Sequence, residues 1–231
     1  MATILITGAN RGLGFEFASQ YAVAGERVFA ACRSQAIAEA LRALEKNAAG
    51  RLGIVEMDVT DLKSVRNAAA QLNEASIDVL INGAGISGAQ GQTTGKIDYK
   101  NLAQVLDVNT LGPMRVLESF IEHIARSERK LVITITSAMG SLADNKAGGS
   151  IAYRSSKAAV NMAMRSAAID LAPRGVSCVL LHPGWVRTDM GGPKAPLSPQ
   201  ESVKAMRQLI DILGPKNSGH FYGFDGRKYP W

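Results

Sequence analysis

In the stretch YRSSK, Tyr153 and Lys157 stand four positions apart. Four positions is about one helical turn, so on a helix a phenol and an ammonium would share a face. A phenol titrates near ~10, too high for ready proton exchange at neutral pH, and a neighbouring ammonium favours the phenolate. Such a pair suits general acid–base work on a substrate oxygen. On spacing alone, however, an ordinary polar helix turn is the preferred reading, because Tyr and Lys fall four apart by chance in many surface helices.

A second stretch points to a phosphate-bearing ligand. TGANRGLG (7–14) carries its glycines as G-x-x-x-G-x-G between an apolar run and a helical pattern. Glycine permits a tight turn and a close approach of backbone to a pyrophosphate, and a helix N-terminus offers unpaired N–H groups. Sites that bind a dinucleotide usually place an acid about 20 residues further on, against the ribose 2′-hydroxyl. Here no Asp or Glu occurs between Glu26 and Glu39, and Arg33 occupies the end of the second apolar run. A guanidinium there suits a 2′-phosphate, with Arg11 as a second positive charge, so NADP(H) is the expected cofactor. The alternative for Arg33 is a solvated loop arginine. GQTTGKI (91–97) resembles a P-loop but fails, with Gln90 where the first glycine belongs and Ile97 after Lys96. There is no nucleophile elbow and no metal-ligand cluster. His123, His182 and His220 lie far apart and read as structural or exposed.

The elements that must position these residues alternate along the chain. Apolar runs at 3–7, 27–32, 52–59, 77–82, 130–136 and 176–182 read as strands, with a short seventh around 220–222. Helical patterns fill 14–25, 35–48, 60–74, 98–127, 151–172 and 199–213. Strands alternating with helices give right-handed parallel βαβ units, and continuously apolar strands fit a sheet covered on both faces. The expectation is one Rossmann-type, doubly wound parallel sheet of about seven strands with helices on both faces, and a single domain over 1–231. The irregular segments 86–97, 138–150 and 183–199 each follow a strand, at the end of the sheet where such folds bind ligands.

Composition fits this picture. Hydrophobic residues make up 46% and charged residues 20% of the 231. The net charge of +6 is scattered, its longest basic runs being the pairs Arg129-Lys130 and Arg227-Lys228. That argues against nucleic acid as a partner. No apolar run reaches the ~20 residues that cross a bilayer. Two cysteines in apolar runs and a start without a leader pattern suggest a reducing, cytoplasmic setting.

In this context the chain resembles the short-chain dehydrogenase/reductase family over essentially its whole length. The matching stretches are TGANRGLG, MDVT (57–60), NGAG (82–85), DVNTLG (107–112), ITSAMG (135–140), YRSSK and HPGWVRTDM (182–190). GHFYGFDGRKYPW (219–231) and ACRS (31–34) are similar to the branch of C-factor and sniffer-type carbonyl reductases. The resemblance implies a catalytic tetrad of Asn109, Ser137, Tyr153 and Lys157. Ser137 would polarise a carbonyl, Tyr153 would protonate it, Lys157 would lower the Tyr153 pKa and hold the nicotinamide ribose, and Asn109 would anchor a relay water. It also implies cofactor contacts from Gly8, Asn10, Arg11, Gly12 and Leu13 in the loop, and from Asp58 and Val59 at the adenine. Asn82, Ala84 and Gly85 would meet the adenosine ribose, and Pro183, Gly184, Val186 and Thr188 the carboxamide. Asp58 as a strand-end N-cap, and Pro183-Gly184 as an ordinary turn, remain alternatives.

Two departures stand out. Gly83 replaces the family's usual second Asn, which implies a lost hydrogen bond to the Thr7 region and a looser site. The stretch from Ser137 to Tyr153 is slightly long, with Gly148-Gly149 expected to reshape the substrate mouth. The activity implied is reduction of a small, apolar carbonyl compound by NADPH, in a homodimer paired through helices carrying Met114, Leu117, Met162 and Met164. A signalling or regulatory protein of the C-factor type, with incidental catalysis, is the alternative. Met139, Leu142, Trp185 and Met190 are the candidate pocket residues.

Overall fold

The computed structural model of the chain describes residues 1–34 and 38–231. Seven strands form one sheet: β1 (Thr3–Thr7), β2 (Arg27–Cys32), β3 (Leu52–Glu56), β4 (Val79–Asn82), β5 (Leu131–Ile135), β6 (Ser177–His182) and β7 (Phe221–Gly223). Their order is β3-β2-β1-β4-β5-β6-β7, with each neighbouring pair parallel. β1 therefore lies between β2 and β4, and the chain reverses its direction of travel across the sheet there. That reversal opens a crevice beyond the strand ends.

The strands are apolar at consecutive positions because both faces are covered. In β1, Ile4 and Ile6 enter one core and Leu5 enters the other. The first core takes Phe17 and Tyr21 from α1 (Gly12–Val23), Leu41 from α2 (Glu39–Asn47), and Val203, Met206 and Ile210 from α7 (Pro199–Ile212). The second takes Val65 from α3 (Leu62–Gln71), Val116 and Phe120 from α5 (Gly112–Ala125), and Val160 and Met164 from α6 (Ile151–Asp170). Burying each such side chain is worth ~1.5–3 kcal/mol, and the alternating registers distribute that gain over both faces. Cys32 in β2 and Cys178 in β6 are buried and free. Four strand spacings separate them, about 19 Å, so they cannot bridge.

Three expected elements end or break differently. β3 stops at Glu56, because Met57–Thr60 turns around Asp58, whose Oδ1 accepts from the Thr60 amide and hydroxyl at 2.9 and 2.7 Å. α3 is capped by Asp61, which accepts from the Lys63 amide, so neither Thr60 nor Asp58 is the cap. The helix expected over 98–127 is α4 (Tyr99–Leu106) and α5, joined by a wide π turn at Asp107–Leu111. Pro113 has no N–H for the carbonyl four residues back, which is that of Asn109, so the regular ladder fails there. The first residues expected in α2, 35–37, lie outside the described residues.

Candidate active site

The β1–α1 loop and the end of β4 meet closely. Gly8 has φ +70, and a Cβ on it would lie 2.8 Å from the Ala84 Cα. A Cβ on Gly14 would lie 2.3 Å from the Gly8 oxygen, so loop and helix are packed backbone to backbone. Gly12 faces Thr188, whose Cγ2 is 3.7 Å from where its Cβ would be. Arg11 occupies the N-cap of α1 in extended conformation and makes no side-chain capping bond. The first amides of α1 thus open to the crevice without a side-chain cap, as an anion requires. Leu13, by contrast, packs against the first core. At the end of β4, the buried Asn82 Oδ1 has no hydrogen-bond partner in the fold. Glycine packing, uncapped amides and this orphaned acceptor fit a dinucleotide.

Gly83 stays tied to β1 through its backbone. Its amide and that of Ala84 donate to the Thr7 hydroxyl at 3.1 and 3.2 Å. A Cβ at 83 would stand 2.9 Å from the Thr7 carbonyl oxygen, so the two backbones approach closely here.

Other predicted contacts divide into exposed and core groups. Arg33 stands exposed at the end of β2. Arg11, also exposed, pairs with Asp189 at 2.9 Å. Val59 and Val186 are buried, at 6% and 4% exposure, so only their backbones can meet a ligand. Val59 packs under Gly112, where a Cβ would come within 2.9 Å of its Cγ2. The Pro183 carbonyl accepts from the Ser202 hydroxyl at 2.6 Å, and Gly184, at φ +83, leaves room for Leu197 and Phe224. Pro183-Gly184 is thus a turn packed into the fold. Thr188 accepts from the Gly191 amide through its hydroxyl. Asn10 sits half-buried in the glycine loop.

On the other side of the crevice, four side chains converge. Asn109 lies in the π turn, 1% exposed. Its Oδ1 accepts from the Ile86 amide at 2.9 Å, and its Nδ2 donates to the Ile86 carbonyl and the Ser156 hydroxyl at 2.9 and 3.0 Å. Lys157 is 5% exposed and donates to the Ile135 carbonyl at 2.9 Å. Gly85 adjoins both, its missing Cβ falling 3.3 Å from Asn109 Oδ1 and 3.8 Å from Lys157 Nζ. Ser137 follows β5, and its hydroxyl accepts from the Met139 amide at 3.1 Å. Tyr153 is half-buried on α6, its ring centroid 5.7 Å from Lys157 Nζ.

Burial pushes the Lys157 ammonium down to about 8. Burial also raises the Tyr153 phenol, and the nearby Ser137 hydroxyl opposes that rise. The expected depression of Tyr153 by Lys157 does not appear: burial is the largest influence, and the Ser137 hydroxyl is the group that opposes it. The two shifts move the phenol and the ammonium apart in proton affinity, so the ammonium gives up its proton well before the phenol does.

Ser156 and Thr7 were not picked out from the sequence. Ser156 is fully buried inside YRSSK and holds Asn109, while Thr110 donates to its carbonyl at 3.0 Å. Its position three after Tyr153 was the available signal. Gly148, Gly149 and Ser150, at φ 62, 63 and 45, form three successive left-handed residues before α6. Gly148 and Gly149 border a cleft of about 380 Å³ with Ile151, Arg154 and Ser155, on a different face of α6 from Tyr153 and Lys157. His123 is packed against Phe120 with Nε2 at 3.1 Å from the Ala69 carbonyl, and no metal-ligand group occurs among the described residues.

The family model for short chain dehydrogenase matches residues 2–197. C-signal of Myxococcus xanthus is 48% identical over 155 residues, covering 67% of this chain and 93% of that protein. The carbonyl reductase Sniffer of D. melanogaster superposes with TM-score 0.92 at 33% identity over 100% of both chains. An NADPH-bound carbonyl reductase from chicken fatty liver gives TM-score 0.92 at 34% identity, over 100% of this chain and 99% of that one.

Proposed function

The chain belongs to the short-chain dehydrogenase family, and on that premise we propose that it reduces an aldehyde, ketone or quinone to the alcohol with NADPH. Residues 1–231 are read as one NADP(H)-binding domain. The observation that carries this reading is the convergence of Ser137, Tyr153 and a buried Lys157 beside Gly85, at the open ends of β4 and β5. The NADPH-bound state of the chicken carbonyl reductase supports the choice of cofactor.

NADPH supplies the hydride when bound. Asn82, the glycine loop and the amides at the start of α1 hold it, and Arg33 meets its 2′-phosphate. Ser137 donates to the substrate carbonyl oxygen and orients it. Tyr153 donates its phenolic proton to the same oxygen as negative charge builds there. The Lys157 ammonium stabilises the resulting phenolate. The Asn109 side chain already spends both its amide hydrogens on Ile86 and Ser156, so the proton-relay role passes to its backbone carbonyl, to which Pro113 has no N–H to donate. Leu142, Trp185 and Met190, exposed at 74%, 57% and 48%, give the mouth an apolar rim for an apolar substrate.

A signalling role is a second reading, favoured by the identity to C-signal. A binding module has no need of the whole tetrad, so catalysis is the preferred one. Two assembly and location proposals accompany it. Met114 and Met162 are exposed and suit a homodimer face, whereas Leu117 and Met164 are buried in the monomer core. Two free buried cysteines suit a cytoplasmic setting, and no described helix is long and apolar enough to cross a membrane.

The test is NADPH oxidation against a panel of aldehydes, ketones and quinones, with NADH in parallel. Turnover with NADPH is expected. Tight NADPH binding with no turnover on any carbonyl favours the signalling reading.

A further inference from the structure

The chain returns to its own catalytic loop at its last described residues. After β7, Asp225 and Gly226 make a turn, and the Tyr229 amide donates back to the Phe221 carbonyl at 2.8 Å. The segment then runs past the loop that follows Ser137. There the Trp231 oxygen accepts from the Ala143 amide at 3.0 Å and from the Ser141 hydroxyl at 3.1 Å. Ser141 is only 2% exposed, and its Oγ also accepts from the Asp144 amide at 3.1 Å. A chain of rings backs this contact. Trp231 stacks on Phe221 at 5.9 Å, Phe221 packs on Tyr229 at 5.1 Å, and Tyr229 meets His182 edge-on at 5.4 Å. Phe221 is 1% exposed and fixed in β7, so it is a rigid base for the stack.

The loop being held is the one that aims Ser137. A single short turn, Ala138–Gly140, separates Ser137 from Ser141. Within it the Gly140 amide donates to the Ser137 carbonyl at 2.8 Å, and the Met139 amide donates to the Ser137 hydroxyl. Gly140 packs against α6, a Cβ there falling 2.8 Å from Lys157 Cβ. One side of the turn is therefore pressed on the helix that carries Tyr153 and Lys157. The only polar ties on its far side that reach outside the loop, among the described residues, run to Trp231. A turn of this length transmits displacement at one end to the other, because its few torsions are already committed to hydrogen bonds.

We propose that Trp231 is a positioning residue: stacked on Phe221, it pins Ser141 and Ala143 and thereby fixes the Ser137 hydroxyl against Tyr153. The proposal rests on the carbonyl-reductase reading for its effect on rate, but not for its effect on the loop. Loss of the indole frees the Trp231 backbone, and both bonds to the loop loosen together. Ser137 then samples orientations in which its hydroxyl and the Tyr153 phenol do not converge on one oxygen. Misplacement on the ångström scale costs rate steeply. The glycine loop and Arg33 follow β1 and β2, away from this turn, so NADPH affinity is expected to stay close to that of the parent.

The test compares Trp231→Ala and Trp231→Phe with the parent in three measurements: backbone hydrogen exchange over 138–143, NADPH titration by fluorescence, and steady-state reduction of the best carbonyl from the panel. For Trp231→Ala, exchange over 138–143 is expected to accelerate about tenfold or more, kcat to fall about tenfold, and the NADPH Kd to stay within about twofold. Trp231→Phe keeps a ring on Phe221 and is expected to restore both. Parent-like exchange in Trp231→Ala overturns the proposal, as does faster exchange with parent kcat. A loss of NADPH affinity in step with a drop in melting temperature also overturns it, since that is general destabilisation. If the parent reduces no carbonyl at all, the functional reading fails instead, and hydrogen exchange alone decides the pin.

Discussion

Lys157 and Asn109 are 5% and 1% exposed and spend their side-chain donors within the protein, on Ile135, Ile86 and Ser156. Across the crevice, Arg11 and Asp189 face each other with 63% and 80% of their side chains exposed. The α6 side is assembled before any ligand arrives, through buried bonds in a low-dielectric setting. The glycine-loop side offers uncapped amides, an orphaned Asn82 oxygen and exposed charge. Reactive groups need exact placement, which burial enforces, while a charged cofactor needs unsatisfied donors and acceptors, which burial would penalise. The same crevice therefore carries two designs.

Lys157→Met tests the buried side most severely. Turnover is expected to fall by about 10²–10⁴-fold, with weaker NADPH binding alongside. Stability should respond with a definite sign. Unfolded, the lysine keeps its proton to about 10.5; folded, it loses it at about 8. Between those values the unfolded chain binds more protons, so parent stability rises with pH from about 8 to about 10.5. Urea melts should show that rise in the parent and not in Lys157→Met. In the parent, reductase activity should decline above about pH 8, as the ammonium is lost while the raised phenol stays protonated.

On the open side, Arg33→Asp should shift cofactor choice. Hydrogen bonds to charged groups are worth about 1.5–3 kcal/mol, so the NADPH-to-NADH preference in kcat/KM should drop about 10–100-fold. An unchanged ratio would remove Arg33 as the discriminator. The smallest effect is expected from Asp189→Asn. An exposed pair contributes at most about 1 kcal/mol, so its urea midpoint should barely move. A larger loss would mean that the two sides are not built as differently as described.

The alternation of strands and helices was legible because both sheet faces are buried, which makes β1, β5 and β6 continuously apolar. TGANRGLG and YRSSK were legible because their positions at a strand end and on a helix carry the physics. The break at Asp107–Leu111 was not, since the apolar period runs on through it and only Pro113 marks the missing bond. The backbone tie from Gly83 to Thr7 was not legible either, because an amide donor leaves no mark in the residue type. The direction of the Tyr153 shift was misread because its largest cause is burial, which spacing does not reveal. The pairing of Arg11 with Asp189 was not legible, since only the fold brings the two together across 178 positions of sequence.

Tyr153→Phe tests the central claim most directly. It keeps the ring and its packing and removes only the proton donor. NADPH titration and steady-state carbonyl reduction on the same preparation should show affinity within about twofold of the parent and turnover lower by about 10²–10⁴-fold. Parent-level turnover in Tyr153→Phe would contradict the account and return YRSSK to an ordinary turn of helix.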